Sequence, residues 1–227
     1  MTLYQTELPI RPDIVQSHAD LLDRWATPGT WWNSAKRLAI VEEVRRARDA
    51  DELAPWVAPS TVDGLIAADH PLPAAAIDVI WRLTNHPGTL TSDWYQAIID
   101  AGLSSGHYTE LVGIVAQANC IDRFADALDI TRPALPAARP GEPSHDAPDD
   151  VTVRKHWVPT AAIKGPNVIK ALSAVPFEND SRDVLSDSHY VKGEALIGDL
   201  SSDVNALSRL QVELIAARTS KLNECFY

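Results

Sequence analysis

The sequence predicts an all-α protein made of two related helical units. Apolar residues recur at helical spacing along most of the chain, and few segments alternate with the two-residue period of a strand. Residue types that begin and end helices flank these segments, and a similar stretch occurs once in each half. The chain has 227 residues, of which 45% are hydrophobic and 22% charged, so it can bury a core.

The predicted helices follow one another with short interruptions. Asn33 is a favourable N-cap for the second helix, Ser92 can cap the fourth, and Gly102 suits the end of the fourth. We expect helices at 13–25, 35–48, 74–83, 93–101 and 107–128, near 167–174 and 181–190, and from Ser208 onward.

The helix at 107–128 has one apolar stripe, which predicts one buried face. Its members are Leu111, Ile114, Val115, Ala118, Ile121, Ala125 and Leu128. The last helix differs because apolar side chains fall on two opposite sides, which predicts burial on both. One side carries Leu207, Leu210, Leu214 and Ala217, and the other carries Val212, Ile215, Leu222 and Phe226.

A proline-rich segment at 131–153 divides the two halves. Its five prolines each remove a backbone donor and block helix continuation, which predicts an extended linker. We therefore expect an N-terminal helical unit at 1–130, the linker at 131–153 and a C-terminal helical unit at 154–227.

The two halves share a weak repeat. LSSGHYTELVGIVAQAN at 103–119 resembles ALSRLQVELIAARTSKLN at 206–223. The match aligns Glu110 with Glu213, and Asn119 with Asn223 if one residue slips. Two related helical units explain this pattern.

Net charge and residue usage exclude several classes of partner. The net charge is −11, whereas proteins that neutralise phosphates need a basic surface, so nucleic acid and anionic membranes are not expected partners. The start resembles no signal peptide, no apolar stretch approaches ~18 residues, and only Cys120 and Cys225 are cysteines. These features favour a cytoplasmic protein, with Cys120 as a small core residue.

No cofactor or metal site is predicted. The chain has no glycine-rich phosphate loop, and its seven histidines are scattered without metal-ligand spacing. We expect the histidines to have individual surface or capping roles. The tryptophans, including Trp31, Trp32, Trp81, Trp94 and Trp157, are expected as core and interface anchors.

Glu213 lies at the margin of an apolar side of the last helix. A carboxylate in an apolar site is costly unless it is paired or protonated, and desolvation would raise its pKa toward the range useful for proton transfer. A salt bridge to Arg209 or Arg218, or simple exposure, is the alternative.

Cys225 follows Glu213 by twelve positions in the segment ELIAARTSKLNECFY. This stretch resembles the alkylhydroperoxidase (AhpD-like) proteins of the carboxymuconolactone decarboxylase family, whose motif is Glu, eleven residues, Cys-x-x-Cys, three residues and His. WYQAIIDAGLSSGHYTELVGIVAQANCIDRFADAL in the first half is also similar to this family. The segments PGEPS and HWVPT resemble a two-unit branch of the same family.

The resemblance implies an AhpD-like helical fold and peroxide reduction by a thiol. In that chemistry a thiolate becomes a sulfenic acid, which a partner Cys converts to a disulfide. Glu213 takes the proton-relay position and Cys225 the resolving position. The implied partners are a small-molecule peroxide, a thiol electron donor and further copies of the chain in a homo-oligomer. The first unit has Asp122 where a Cys would follow Glu110, so its expected role is structural.

The printed sequence stops at Tyr227, one residue before the second Cys of the motif. We therefore expect an activity that is complete only with residues beyond 227, and little turnover without them. An in-frame UGA codon read as selenocysteine, a nonsense mutation and a deliberately shortened chain are the open explanations. A non-catalytic truncated helical subunit and a carboxymuconolactone decarboxylase-type enzyme are the alternative functions.

Overall fold

A computed structural model describes residues 3–190, 203–204 and 207–222 of the chain. This part is mostly helical, which confirms the all-α prediction. Its helices are α1 (Pro12–Trp25), α2 (Ser34–Asp49), α3 (Ala74–Asn85), α4 (Ser92–Asp100), α5 (Ser105–Ala127), α6 (Asn167–Lys170), α7 (Pro176–His189) and α8 (Arg209–Leu222). Short 3-10 helices lie at Pro59–Thr61 and Pro87–Thr89, and strands β1 (Asp203–Val204) and β2 (Leu207–Ser208) pair antiparallel.

The predicted helix ends are correct to within a few residues in the first half. The Asn33 side chain caps α2, as predicted, by accepting a hydrogen bond from a backbone N–H of the first turn at 3.0 Å. Helix α4 is capped by Thr91 instead of Ser92, which is itself the first helical residue. Gly102 ends the α4 turn with a φ of 99°, a conformation that suits glycine.

The core lies where α2, α3 and α5 pack against one another, and α1 and α7 pack side by side, with α7 also against α5. Helix α5 is central because it contacts α1, α2, α3 and α7. Its predicted stripe is buried at every position except Leu128, which is half-buried beyond the end of the helix. The apolar periodicity therefore identified the buried face of α5.

The proline-rich segment is extended, and it is held against the helices. Backbone N–H groups of Arg139, Ser144 and His145 donate to the carbonyl groups of Ala26, Gly29 and Thr30, which join α1 to α2. Beyond this segment, Leu185 of α7 belongs to the same hydrophobic core as α1–α5. Within the described residues, the segment at 131–153 thus does not separate α7 from the core of the first half.

Helix α8 is not buried on both sides, and this expectation was wrong. Leu210, Leu214 and Leu222 are 68%, 71% and 70% exposed. Among the described elements, the main neighbours of α8 are the two short strands β1 and β2, which are too small to cover a helix. No helix in the described part of the chain is long and apolar enough to cross a membrane.

Candidate functional site

Glu213 lies in the second turn of α8 and is held by two donors. The hydroxyl of Tyr190 donates to Oε2 at 2.7 Å, and the guanidinium of Arg209 approaches Oε1 at 2.6–2.7 Å. The hydrogen bond from Tyr190 and the charge of Arg209 lower the pKa of this carboxyl, whose side chain is 38% exposed. The expected rise in pKa was therefore wrong, because the carboxylate is paired and solvated; the salt bridge to Arg209 is the arrangement found.

The other predicted site residue, Cys225, lies outside the described residues. The structure thus describes the Glu213 half of the predicted pair. Cys120, by contrast, packs against the core from α5, and burial raises the pKa of its thiol. A half-buried, protonated thiol is a weak nucleophile, in keeping with the structural role expected of Cys120.

A buried charge cluster surrounds Glu110, the residue that the repeat aligns with Glu213. Arg37 of α2 forms ion pairs with Glu110 of α5 and, at 2.7 Å, with Glu178 of α7, and all three side chains are fully buried. The backbone N–H of Trp31 donates to Glu110 Oε2 at 2.5 Å. Gln117 donates to Glu178 Oε2 at 2.6 Å, so the cluster ties three helices together.

The cluster holds two carboxylates and one guanidinium. Burial raises the pKa of Glu110 to about 7; the charge of Arg37 opposes this shift and that of Glu178 adds to it. The Glu110 carboxyl group is therefore partly protonated near neutral pH, which is unusual for a carboxyl group.

Two glycines allow the backbone to approach this cluster. A Cβ on Gly29 would overlap the Glu110 carboxylate, and a Cβ on Gly113 would lie 2.8 Å from Cβ of Glu178. The sequence aligns Glu110 with Glu213 in a unit with an expected structural role, but it does not indicate the partners of Glu110. Arg37 and Glu178 come from distant segments, and only the helix packing brings them together.

A cavity of about 420 Å³ lies between α5 and the segment 154–172. Apolar side chains form much of its wall. They are Leu83 of α3, Tyr108 and Val112 of α5, and Trp157 and Leu172 of the segment 154–172. Trp157 was expected as a core or interface anchor; it is 36% exposed and lines this cavity instead.

Two histidines, the fully buried His18 and the half-buried His189, form a pair, contrary to the expected surface or capping roles. The Nε2 atoms of His18 in α1 and His189 in α7 lie 2.6 Å apart, and the Tyr4 hydroxyl lies 2.6 Å from His18 Nδ1. Burial, with the neighbouring His189, lowers the pKa of His18 to about 3. Burial also lowers the pKa of His189, so both rings are neutral at pH 7 and join α1 to α7.

Among the residues that the structure describes, no group of three His, Cys, Asp or Glu side chains could hold a metal ion. Comparisons of the chain with protein-family models, with curated proteins and with solved structures returned no match.

Proposed function

We propose that the protein is an alkylhydroperoxidase-like thiol peroxidase that reduces organic hydroperoxides, with Glu213 as proton relay and Cys225 as resolving thiol. The observation that carries this proposal is the twelve-position separation of Glu213 and Cys225. A thiol electron donor, assembly into a homo-oligomer and a cytoplasmic location belong to the same proposal.

The proposed reaction has two covalent steps. An attacking thiolate or selenolate, at the position three residues after Cys225, takes the terminal oxygen of the peroxide and releases an alcohol. The Cys225 thiol then condenses with the resulting sulfenic or selenenic acid and releases water. The thiol donor reduces the new bond by exchange and leaves as its own disulfide.

The contacts of Glu213 suit a relay that accepts a proton briefly. Its lowered pKa keeps the carboxylate ionised at pH 7, and Tyr190 and Arg209 fix its orientation. An ionised, oriented carboxylate can accept a proton from a thiol and pass it on, although its lowered pKa makes it a weaker base than a carboxylate with a pKa near 7.

The proposal is tested by extending the chain so that it carries the whole Cys-x-x-Cys motif and the His that follows it. An extended variant carries a Cys directly after Tyr227 and a His four residues after that Cys. We expect it to turn over cumene hydroperoxide with a dithiol reductant at least tenfold faster than the 227-residue chain. This gain should disappear in the extended variant that also carries Cys225→Ser.

Cys120→Ser in the extended variant is the matched control, because Cys120 is a half-buried thiol with a raised pKa, and it should keep the gain. An extended variant no faster than free dithiol would contradict the proposal. Robust turnover by the 227-residue chain, abolished by Cys225→Ser, would show that Cys225 attacks instead of resolving.

A non-catalytic helical subunit is the second candidate. The exposed leucines of α8 favour it, because a second copy of the chain would cover them. Light scattering at micromolar concentration should give an oligomer under both candidates. A clean monomer would count against the subunit and against the oligomeric part of the peroxidase proposal.

A further inference from the structure

The cavity between α5 and the segment 154–172 has the size and the lining of a small-molecule site. Its volume of about 420 Å³ lies within the range of roughly 300–1,000 Å³ that is typical of ligand pockets. The wall formed by Tyr108, Val112 and Leu172 is apolar, so the interior suits a hydrocarbon chain or ring.

The mouth of the cavity is basic in a strongly acidic protein. Arg154, Lys155, His156 and Lys170 all line it, and the stretch 151–177 contains four Lys or Arg residues and no Asp or Glu. The chain as a whole has a net charge of −11. The lining therefore carries an excess of positive charge, although the chain as a whole is acidic.

Two of these cations have no acidic partner among the residues that the structure describes. Arg154 is occupied, since it donates to the carbonyl of Thr160 and approaches the carboxylate of Asp150 at 3.4 Å. Lys155 and Lys170 form no ion pair within the described part of the chain. An anion at the mouth would supply the missing partner, and the apolar interior would take the remainder of the same molecule.

Local contacts hold the wall in place without a ligand. Trp157 packs against Tyr95 with ring centroids 5.2 Å apart, and the backbones of Thr152 and Thr160 pair across the turn. The backbone N–H of Ala161 also donates to Ser173 Oγ at 3.0 Å. A preformed site loses less entropy when it binds.

We propose that this cavity binds an amphipathic organic anion, with its apolar body against α5 and its carboxylate between Lys155 and Lys170. The site lies apart from Glu213 in sequence and requires neither Cys225 nor peroxide chemistry. The inference therefore goes beyond the proposed peroxidase and stands or falls separately from it.

Calorimetric titration with octanoate, octanol and octylammonium tests the proposal. These probes share one apolar chain and differ in the charge of the head group. We expect saturable binding of one octanoate per chain, with octanol at least about tenfold weaker and octylammonium weaker still. The same titration of Cys225→Ser should give unchanged octanoate affinity, which separates this site from the peroxidase.

Charge-neutralising variants locate the head group. The double substitution Lys155→Gln and Lys170→Gln should weaken octanoate binding at least about tenfold and leave octanol binding unchanged. Lys164→Gln is the matched control, since Lys164 is exposed in the same segment but does not line the cavity. It should change the octanoate affinity less than twofold.

A cavity-filling variant, Val112→Phe, locates the apolar body and should abolish binding of both octanoate and octanol. Circular dichroism of each variant checks that it is folded; Leu90→Phe, at another position that lines the cavity, replaces Val112→Phe if that variant unfolds. Absence of saturable binding, equal affinity for octanoate and octanol, or full octanoate binding by the double lysine variant would each overturn the proposal.

Discussion

Helices α5 and α8 begin alike and then meet different surroundings. Each is capped by a serine, Ser104 or Ser208, whose hydroxyl accepts a hydrogen bond from a first-turn backbone N–H at 3.3 Å. At α8 the side-chain oxygen of Gln211 accepts a hydrogen bond of 2.9 Å from the Ser208 N–H, which completes a capping box. The local sequence therefore determines how both helices start.

The second turns of the two helices differ in how far their side chains are buried. Glu110 and the following Leu111 are fully buried, whereas the Glu213 side chain is 38% exposed and the following Leu214 is 71% exposed. Burial raises the pKa of Glu110 to about 7, and hydrogen bonding lowers that of Glu213. Aligned residues in a repeat thus acquire opposite acid strengths from the elements packed around them, not from the motif.

Removal of Arg37 should have the largest effect, because it leaves two buried carboxylates without their cation. We expect Arg37→Met to lower the free energy of unfolding by about 3–5 kcal/mol in urea titrations at pH 7. Arg139→Met is the control, since Arg139 forms an exposed ion pair with Asp23, and should cost less than about 1 kcal/mol. Similar losses in both variants would show that the buried cluster stabilises the fold no more than an exposed ion pair does.

The pH dependence of Glu110→Gln should reveal the raised pKa. The folded protein holds the Glu110 proton up to a pKa of about 7, whereas the ordinary value is 4.5. The folded state therefore binds more protons in this interval, and the stability contributed by Glu110 falls as the pH rises from about 4.5 to 7.

Glu110→Gln removes that dependence. Its unfolding free energy relative to wild type should rise by on the order of 2 kcal/mol between pH 4.5 and pH 7. The comparison with wild type at each pH cancels the contribution of His18 and His189, which is common to both proteins. A constant difference across this interval would mean that Glu110 titrates normally.

The repeat aligns Gly113 of α5 with Ala216 of α8, so the two residues can be exchanged in opposite directions, Gly113→Ala and Ala216→Gly. Alanine usually stabilises a helix by about 1 kcal/mol relative to glycine. Gly113→Ala should nevertheless destabilise the protein by about 1–2 kcal/mol, because the new Cβ meets Glu178 at 2.8 Å. Ala216→Gly in the half-buried α8 position should cost about 1 kcal/mol through helix propensity alone. Thermal unfolding of both variants tests this, and stabilisation by Gly113→Ala would contradict the packing of α7 on α5.

Glu213→Gln should have the smallest effect on stability. Its carboxylate is partly solvated, so loss of the contacts to Tyr190 and Arg209 should cost less than about 1 kcal/mol at pH 7. Since the pKa of Glu213 is lowered, this contribution is present above its ordinary pKa of 4.5 and is lost as the pH falls below it. A loss comparable to that of Arg37→Met would contradict the description of α8 as an exposed helix.

The sequence correctly predicted the features that depend on residues close together in the chain. Periodicity found the buried stripe of α5, and cap chemistry placed Asn33 and Ser208. The environment of Glu213 was mispredicted because apolar residues on two sides of a helix show that burial is possible, without showing which element provides it. The cluster of Arg37, Glu110 and Glu178 could not be predicted, because its members meet only through the packing of α2, α5 and α7.

The assignment of separate roles to the two aligned glutamates is tested most directly by peroxide turnover. The measurement compares Glu213→Gln with Glu110→Gln in the extended variant, using cumene hydroperoxide and a dithiol at pH 7. We predict that Glu213→Gln lowers the rate about 100-fold, as expected for loss of a proton relay, while Glu110→Gln stays within twofold. A large loss in Glu110→Gln with normal turnover in Glu213→Gln would contradict the account.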